Sequence, residues 1–200
     1  MRYSNRGDSL APVLVIIVLC FMVYIITMVA DIFLGHSLIP LLGFRPALLF
    51  EQPWTIVTNL FVHGDIWHLL ANMLTLYFFG SFLARLVGAG TFLVIYFVGG
   101  LMGNIFIFLL PGNPFVPTIG ASGAVFALGG TLAVLTPRLR VYVFPIPAPM
   151  PLWVAVIGGF VLLTLLTFSL PISWQGHLGG LLSGLVAGLI LRRRTPRPFY

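Results

Sequence analysis

Long apolar runs that carry almost no charge constrain what this chain can fold into. A membrane-spanning helix needs about 20 predominantly apolar residues, and six runs have that character. The runs lie at about 12–30, 66–84, 91–110, 121–136, 152–169 and 176–191. Charged residues make up 7% of the 200 residues, whereas a soluble domain has about 25%. The sequence therefore predicts an all-α membrane protein, a single domain over 1–200 with six transmembrane helices. A soluble enzyme, a disordered chain and, with Cys20 alone, a disulfide scaffold are excluded.

The distribution of arginine predicts the orientation of the chain in the membrane. All ten basic residues are arginine, and the formal net charge is +6. If the N-terminus is cytoplasmic, nine of the ten arginines are cytoplasmic too, and Arg45 lies outside with Asp31, Glu51 and Asp65. Cytoplasmic loops carry the excess of arginine and lysine, so we expect both termini in the cytoplasm. The basic cluster at the C-terminus is then a membrane anchor, and no nucleic-acid partner is predicted.

The connections between the runs contain little that suggests chemistry. The longest connection, residues 31–65, lies outside and is half apolar with three prolines, which favours a position in the headgroup layer. The cytoplasmic loop 141–151 has four prolines, which favour an extended backbone. No clear cleavage site follows the first run, so we interpret it as a retained helix. Without a transit peptide, we expect a bacterial or archaeal plasma membrane.

Three of the runs carry a polar side chain at one depth. Each polar residue precedes the next cytoplasmic arginine by thirteen to sixteen residues. At 1.5 Å per residue this separation is about 20–24 Å, which is about 6–10 Å below the outer edge of the hydrocarbon core. The residues are Asn72, Ser122 and His177, and His68 lies one helical turn above Asn72. Because polar groups at this depth need a partner or water, we expect these side chains to converge.

Glycines in the fourth and sixth runs predict close helix packing at this layer. The sixth run has Gly176, Gly180, Gly184 and Gly188, and the fourth run has Gly123, Ala127 and Gly130. Small residues let helix backbones approach closely, which a direct hydrogen bond between Ser122 and His177 requires. Both runs are short, about sixteen residues, so we expect them to begin inside the membrane beneath a water-filled hollow. A loop rich in proline and ending at Gly120 would descend into that hollow.

Each of these signals also has a plainer interpretation. Ser122 lies among small residues that are common helix-packing material in membranes. Taken alone, His177 suits an interior histidine with satisfied hydrogen bonds, and Asn72 suits a contact that holds helices together. His63 and His68 suit an interfacial position or a metal site, but no acid or cysteine lies in their layer, so no metal and no cofactor is predicted. The joint occurrence at one depth favours a catalytic site.

At these residues the sequence resembles the rhomboid family of intramembrane serine proteases. The matching motifs are His63-x4-His68-x3-Asn72 at the second run, Gly120-x-Ser122-Gly123 at the fourth, and His177-x2-Gly180-x3-Gly184 at the sixth. They occur in the order of the family, and the resemblance extends from about residue 12 to residue 192. It implies the six-helix rhomboid fold with both termini cytoplasmic.

The resemblance implies a serine–histidine dyad that works without an acid. Ser122 would be the nucleophile, and His177 the general base and then the general acid. The oxyanion hole would consist of the Asn72 amide, His68 and the backbone N–H of Ser122. These roles agree with the chemistry, because a serine hydroxyl needs a positioned base and each preset oxyanion donor contributes about 2.7–4 kcal/mol.

The same resemblance assigns supporting roles to residues around the dyad. Val116 and Gly120, in the loop before Ser122, would bind the substrate backbone in an extended form. The residues with a structural role near the site are His63, Phe126, Gly123, Gly180 and Gly184. The external loop at about 170–175 and the fifth helix would form a movable cover and a lateral gate.

Three positions depart from the family pattern. Thr55 follows Trp54 where the family often has arginine, and the second helix ends its apolar stretch at Ala84 where a glutamate is common. Phe126 stands where the family usually has a tyrosine that stacks on the histidine. These departures bear on stability and rate, and they leave the predicted reaction class unchanged.

We therefore interpret the chain as a serine endopeptidase that cleaves transmembrane helices near their outer ends. Its partners would be single-pass or multi-pass transmembrane proteins and the lipid bilayer, with the active site open to the external side of a plasma membrane. The alternatives are an inactive relative that binds membrane helices and a small channel or transporter, although no acid lies within a span. Metal-dependent and aspartyl intramembrane proteases are excluded, because neither His-Glu-x-x-His nor a pair of aspartates within helices is present.

Overall fold

The computed structural model describes residues 10–110, 112–143, 146, 148–167 and 173–194. Parts of these predictions fall on residues outside the described ranges. They are Arg2, Arg6 and Arg197 among the ten arginines, Pro111 before the loop that ends at Gly120, Pro145 and Pro147 in the loop 141–151, residues 168–169 of the fifth run, and residues 170–172 of the proposed cover loop.

The described residues are mainly helical, and each apolar run forms a helix. In chain order the helices are α1 (Ala11–Leu34), α2 (Ile39–Leu42), α3 (Thr55–Thr58), α4 (Ile66–Thr75), α5 (Ser81–Val87), α6 (Ala89–Leu109), α7 (Ser122–Leu135), α8 (Leu152–Leu166) and α9 (Trp174–Arg194). A π-helical turn, Leu76–Gly80, joins α4 to α5. Short 3-10 helices occur at Pro46–Leu48 and Asn59–Phe61. Strands β1 (Arg140–Val141) and β2 (Met150–Pro151) pair antiparallel at the two ends of the proline-rich loop.

The lengths of these helices show which of them can cross a membrane. Within the described residues four are long and apolar enough: Ala11–Leu34, Ile66–Val87, Ala89–Leu109 and Trp174–Arg193. The helices α7 and α8 are apolar but shorter, with 14 and 15 residues. The chain is thus an all-α membrane protein, as the sequence predicts. The count of six crossings and the cytoplasmic side of the termini stay predictions.

The first two apolar helices are longer than the predicted runs 12–30 and 66–84, and glycines explain where they end. Helix α1 ends at Gly35, and the helix formed by α4, the π turn and α5 ends at Gly88. These glycines have φ angles of 65° and 89°, values that other residue types rarely adopt. Each glycine therefore terminates a helix that the apolar pattern alone cannot delimit.

The last two apolar helices also depart from the predicted runs 152–169 and 176–191. Helix α8 ends at Leu166, and the Thr167 hydroxyl donates to the Thr164 carbonyl at 2.7 Å. Helix α9 has 21 residues, so the expectation of a short sixth helix is wrong. The apolar pattern omits its polar ends, whereas the helical backbone includes the buried Gln175 at one end and the arginines at the other.

Helix α7 lies at the centre of the described structure, between α6, α8 and α9. Its contact with α9 depends on glycine. A Cβ atom on Gly180 would overlap the Gly123 carbonyl group, and one on Gly184 would overlap the Ala127 carbonyl group. The predicted packing of the glycine stripe against the small residues of the fourth run is therefore confirmed.

Side-chain hydrogen bonds tie together residues 35–65, the connection between α1 and α4, which we call the outer loop after its predicted side of the membrane. The Arg45 guanidinium donates to the Gln52 side-chain oxygen at 3.2 Å, and the Trp54 indole donates to the Leu41 carbonyl at 2.9 Å. The buried Thr55 hydroxyl donates to the Gln52 carbonyl at 2.6 Å. The loop is therefore anchored by Arg45 and Trp54, although threonine follows Trp54.

The outer loop also pairs with the loop before α7, residues 112–121. Phe44 and Thr118 exchange two backbone hydrogen bonds, of 2.9 and 2.8 Å. Two residues further along, the Gly120 N–H donates to the Asn59 carbonyl at 2.9 Å. These bonds hold the backbone that leads into Ser122.

Candidate active site

Ser122 and His177 lie within hydrogen-bond distance of each other. The His177 Nε2 atom is 2.9 Å from the Ser122 Oγ atom. Ser122 is the first residue of α7, and His177 lies in the first turn of α9. His177 is 5% exposed, and its Nδ1 atom has no hydrogen-bond partner among the described residues. With Nε2 as the unprotonated nitrogen, the pair can move a proton from the hydroxyl to the ring.

Glycines beside the two residues make this short distance possible. The Gly176 carbonyl oxygen lies 3.2 Å from the position of a Cβ on Gly123 and 2.9 Å from that of a Cβ on Gly103. A side chain at either glycine would therefore press on the start of α9. The backbones of α6, α7 and α9 thus meet at the glycines that adjoin Ser122 and His177 in the chain.

The Phe126 ring covers the His177 ring. Their centroids are 4.8 Å apart and the planes are inclined by 36°. On its other side Phe126 meets Phe160 of α8 edge to face, with centroids 6.0 Å apart. The stacking that the family resemblance implies for Phe126 is therefore present, and α8 supports it.

His68 reaches the site from α4, which begins with a side-chain cap, and Asn72 lies four residues further along the same helix. The Asp65 carboxylate accepts hydrogen bonds from the backbone N–H groups of Trp67 and His68, each at 2.9 Å. The His68 Nε2 atom lies 2.7 Å from the position of a Cβ on Gly120. The buried Asn72 amide donates to the His68 carbonyl at 2.9 Å. The structure thus brings His68 against the loop before Ser122 and places Asn72 one turn deeper.

His63 packs against His68 from the outer loop. The two ring centroids are 5.0 Å apart, and the His63 Nδ1 atom is 3.3 Å from the Phe61 carbonyl oxygen. Burial and the neighbouring His68 lower the pKa of His63 to about 4, although the Phe61 carbonyl and Asp65 oppose this. At neutral pH the His63 ring is therefore uncharged, and it is buried near the end of the outer loop that leads into α4.

The two residues expected to bind substrate lie in the loop before α7. Gly120 has a φ angle of 114°, which favours glycine. A Cβ there would also collide with His68. Val116 is 53% exposed and lies in the middle of this loop. Gly120 therefore belongs to the immediate surroundings of Ser122, whereas Val116 is an accessible side chain four residues earlier in the chain.

Two buried asparagines near the site are not among the residues predicted from the sequence. Asn59 and Asn104 donate to each other through their side-chain amides, at 2.9 and 3.0 Å. Each is 2% exposed. An asparagine inside an apolar helix is a polar group that needs a reason, and Asn104 in the third run was the available signal. Asn59, in the outer loop, gave none.

The polar side chains at and near the Ser122–His177 contact are one hydroxyl, imidazoles and amides, and the aromatic ring of Phe126 lies beside them. In the part of the chain that the structure describes, no three histidine, cysteine, aspartate or glutamate side chains are grouped to hold a metal ion. The chemistry offered by these residues is nucleophilic attack with a histidine base and uncharged hydrogen-bond donors.

Comparison with known proteins shows extensive similarity to one family. Residues 51–194 match the family model of the Rhomboid domain. Rhomboid protein 1, mitochondrial, of Saccharomyces cerevisiae is 32% identical over 152 residues, which are 72% of this chain and 43% of the relative. Rhomboid protease GluP of Bacillus subtilis is 33% identical over 140 residues, 69% of this chain and 26% of that protein. Inactive RHOMBOID-like protein 8 of Arabidopsis thaliana is 32% identical over 93 residues, 46% of this chain and 26% of the relative. The chain spans less than half the length of these relatives.

Proposed function

Because the chain belongs to the rhomboid family, we propose that it is an active intramembrane serine endopeptidase with Ser122 as nucleophile and His177 as general base. Membership supports intramembrane proteolysis in general terms, since relatives are named proteases. The observation that carries the finer proposal is the 2.9 Å distance between His177 Nε2 and Ser122 Oγ. A base at that distance is what a serine hydroxyl needs to become a nucleophile.

In the proposed reaction Ser122 attacks the carbonyl carbon of the scissile bond while its proton passes to His177 Nε2. The protonated ring gives this proton to the leaving nitrogen, which releases one part of the substrate and leaves an ester on Ser122. A water molecule then gives a proton to the same ring and attacks the ester carbonyl carbon. The ring returns this proton to Ser122 Oγ as the ester bond breaks, which releases the second part of the substrate as a carboxylic acid and restores the hydroxyl. The Phe126 ring, stacked on His177 at 4.8 Å, restricts rotation of the imidazole through these steps.

The oxyanion of the tetrahedral intermediate is proposed to bind the Ser122 backbone N–H, the His68 ring and the Asn72 amide. Backbone N–H groups in the first turn of a helix have no partner within the helix, and Ser122 opens α7. One N–H of the Asn72 amide donates to the His68 carbonyl, which leaves the other for the substrate. His68 lies beside Gly120, two residues before the nucleophile.

The proposed substrates are transmembrane helices of single-pass or multi-pass proteins, cut near the outer face. Peptide bonds in a helix are already hydrogen-bonded, so the substrate has to unwind locally before attack. We assign binding of the unwound backbone to Val116 and Gly120. The external loop at about 170–175 is the proposed movable cover, and α8, which touches Phe126 through Phe160, is the proposed lateral gate.

The proposed location is a plasma membrane, with both termini cytoplasmic and the active site open to the outside. The arginine distribution supports this orientation. Relatives in yeast and in Arabidopsis thaliana are named mitochondrial, so membership of the family specifies a membrane protein without specifying the membrane.

A fluorophosphonate probe tests the proposed chemistry without a known substrate. We expect the probe to modify Ser122 of the protein purified in detergent, because it reacts with serines activated by a base. Mass spectrometry of the labelled peptide identifies the residue. His177→Ala is expected to abolish labelling, and Ser122→Ala gives the blank. Labelling that persists in His177→Ala would contradict the role of the histidine.

The second candidate is a helix-binding protein without proteolytic activity, which one relative named inactive makes worth testing. Its signature would be a folded protein that binds a transmembrane peptide but neither reacts with the probe nor cleaves the peptide. Comparison of Ser122→Ala with the unaltered chain separates the two functions, since only catalysis requires the hydroxyl.

A further inference from the structure

We propose that Asn59 and Asn104 form a positioning pair that holds the loop before Ser122 in its reactive geometry. The inference rests on the proposed protease function and adds two residues to it. The hydrogen bonds of the two side chains go to each other and to the Ile56 carbonyl, and the pair acts on the site through Gly120.

The pair is a reciprocal amide contact that joins the outer loop to α6. Asn59 Nδ2 donates to Asn104 Oδ1 at 2.9 Å, and Asn104 Nδ2 donates to Asn59 Oδ1 at 3.0 Å. Asn104 Nδ2 donates in addition to the Ile56 carbonyl at 2.8 Å. Both residues are 2% exposed, and buried polar side chains in folded proteins are hydrogen-bonded, as these two amides are. The pair thus fixes the 3-10 turn Asn59–Phe61 on α6.

Packing of Leu60 supports the same attachment. The Leu60 methyl groups lie 2.7 Å from the position of a Cβ on Gly100, so they occupy the space that a side chain would need. Gly100 precedes Asn104 by four residues and therefore lies on the same face of α6. The same face of α6 thus packs against Leu60 and binds Asn59, which are neighbours in one short turn.

Gly120 connects this turn to the reaction centre. The Asn59 backbone carbonyl accepts the Gly120 N–H at 2.9 Å. Gly120 itself has a φ angle of 114° and lies against the His68 ring. A shift of the 3-10 turn Asn59–Phe61 would therefore move Gly120, which lies against the His68 ring and precedes Ser122 by two residues. The side chain of Asn59 fixes the turn, and its carbonyl positions the loop.

A purely structural pair and a positioning pair predict different kinetics. A structural pair contributes to stability alone, so its loss should act like the loss of any other buried hydrogen bond. Loss of a positioning pair should reduce the reactivity of Ser122 beyond what the change in stability explains, lowering kcat with little effect on KM.

Asn104→Leu tests the proposal, with Thr131→Val as the matched control. Thr131 is fully buried, and its hydroxyl donates to the Ala127 and Gly184 carbonyl groups, nine residues beyond Ser122 along α7. We expect Asn104→Leu to slow fluorophosphonate labelling at least tenfold. For cleavage of a transmembrane peptide, kcat should fall at least tenfold while KM stays within about twofold. Thr131→Val removes a hydroxyl without adding bulk between α7 and α9, so it should keep the labelling rate and kcat within about twofold at a comparable loss of Tm. A folded Asn104→Leu protein with unaltered rates would overturn the proposal.

Hydrogen exchange supplies a readout that does not depend on proteolysis. Faster exchange in a peptide covering residues 112–121 is expected for Asn104→Leu and for Asn59→Leu, and not for Thr131→Val. The double variant should exchange no faster than either single variant, because the asparagines act as one unit. Additive effects on exchange would contradict a reciprocal pair. If Asn104→Leu does not fold, Asn104→Ser removes the reciprocal contact with a smaller change, and the same outcomes apply.

Failure of the proposed function has a different signature. If the unaltered chain does not react with the probe at Ser122, the protease proposal fails, while hydrogen exchange still decides whether the pair holds the loop. If the unaltered chain reacts and the asparagine variants exchange faster at residues 112–121 yet react normally, the positioning role fails and the protease proposal stands.

Discussion

At the scale of single residues, burial of His63 couples folding to pH. Its pKa is lowered from 6.5 to about 4 by burial and by His68, with Asp65 and the Phe61 carbonyl opposing. Between these two values the unfolded chain binds a proton at this ring and the folded chain does not, so stability rises with pH. The contribution of neutral His63 is complete above about pH 6.5 and is lost as the pH falls to about 4. At about 1.4 kcal/mol per pKa unit, the loss reaches about 3 kcal/mol.

We predict that the free energy of unfolding in detergent declines between pH 7 and pH 4.5, and that His63→Gln makes this decline shallower. The neighbouring His68 and Asp65 are present in both proteins, so the difference between the two slopes reports His63. Chemical unfolding at a series of pH values measures it. Identical slopes would show that the folded protein binds the proton at His63 as readily as the unfolded chain does.

At the scale of the elements, the glycine contact between α7 and α9 controls the proposed dyad. A methyl group on Gly184 would overlap the Ala127 carbonyl group, and backbone cannot yield as the end of a flexible side chain can. We predict that Gly184→Ala destabilises the protein by about 1–3 kcal/mol, the usual effect of overpacking a core. Fluorophosphonate labelling of Ser122 should fall as well, because α9 carries His177.

Gly158→Ala provides the control for that prediction. Gly158 lies in α8, and a Cβ there would meet no atom within 4 Å. The substitution is therefore expected to leave stability unchanged or to raise it by up to about 1 kcal/mol, as alanine favours a helix over glycine. Thermal unfolding of both variants in one detergent makes the comparison. Equal effects of the two substitutions would mean that α9 can move away from α7 without cost.

Regular spacing explains which features of the site could be predicted from the sequence. Because the helix rise is uniform, counting residues placed Ser122 and His177 at one depth, and they lie 2.9 Å apart. The π turn Leu76–Gly80 could not be predicted, since such turns depend on packing against other helices. Asn59 and Asn104 are 45 positions apart in the chain, and nothing in the period of either segment indicates that they meet.

At the scale of the whole molecule, the fold class followed from composition, whereas the course of the outer loop did not. The long apolar runs carry almost no charge, which indicates segments that lie in lipid. A spanning segment has to satisfy its backbone hydrogen bonds internally, as an α-helix does, and the described residues are mainly helical. Residues 35–65 have no apolar period, and their structure depends on particular contacts such as the bridge between Phe44 and Thr118. That bridge and the hydrogen bond between Gly120 and Asn59 join the outer loop to the loop before α7. The site is therefore assembled by loops that the helices alone do not specify.

The orientation of the whole molecule can be tested with single cysteines. Cys20, which is buried, is the chain's only cysteine, so Cys20→Ser provides a background without thiols. Glu51 in the outer loop and Arg140 in β1 are both exposed, and the arginine distribution assigns them to opposite sides. We predict that a membrane-impermeant maleimide added to intact cells labels Glu51→Cys and leaves Arg140→Cys unreacted until the membrane is permeabilised. The reverse pattern would place the loops that surround Ser122 on the cytoplasmic side, and substrates would then be cut near their inner ends.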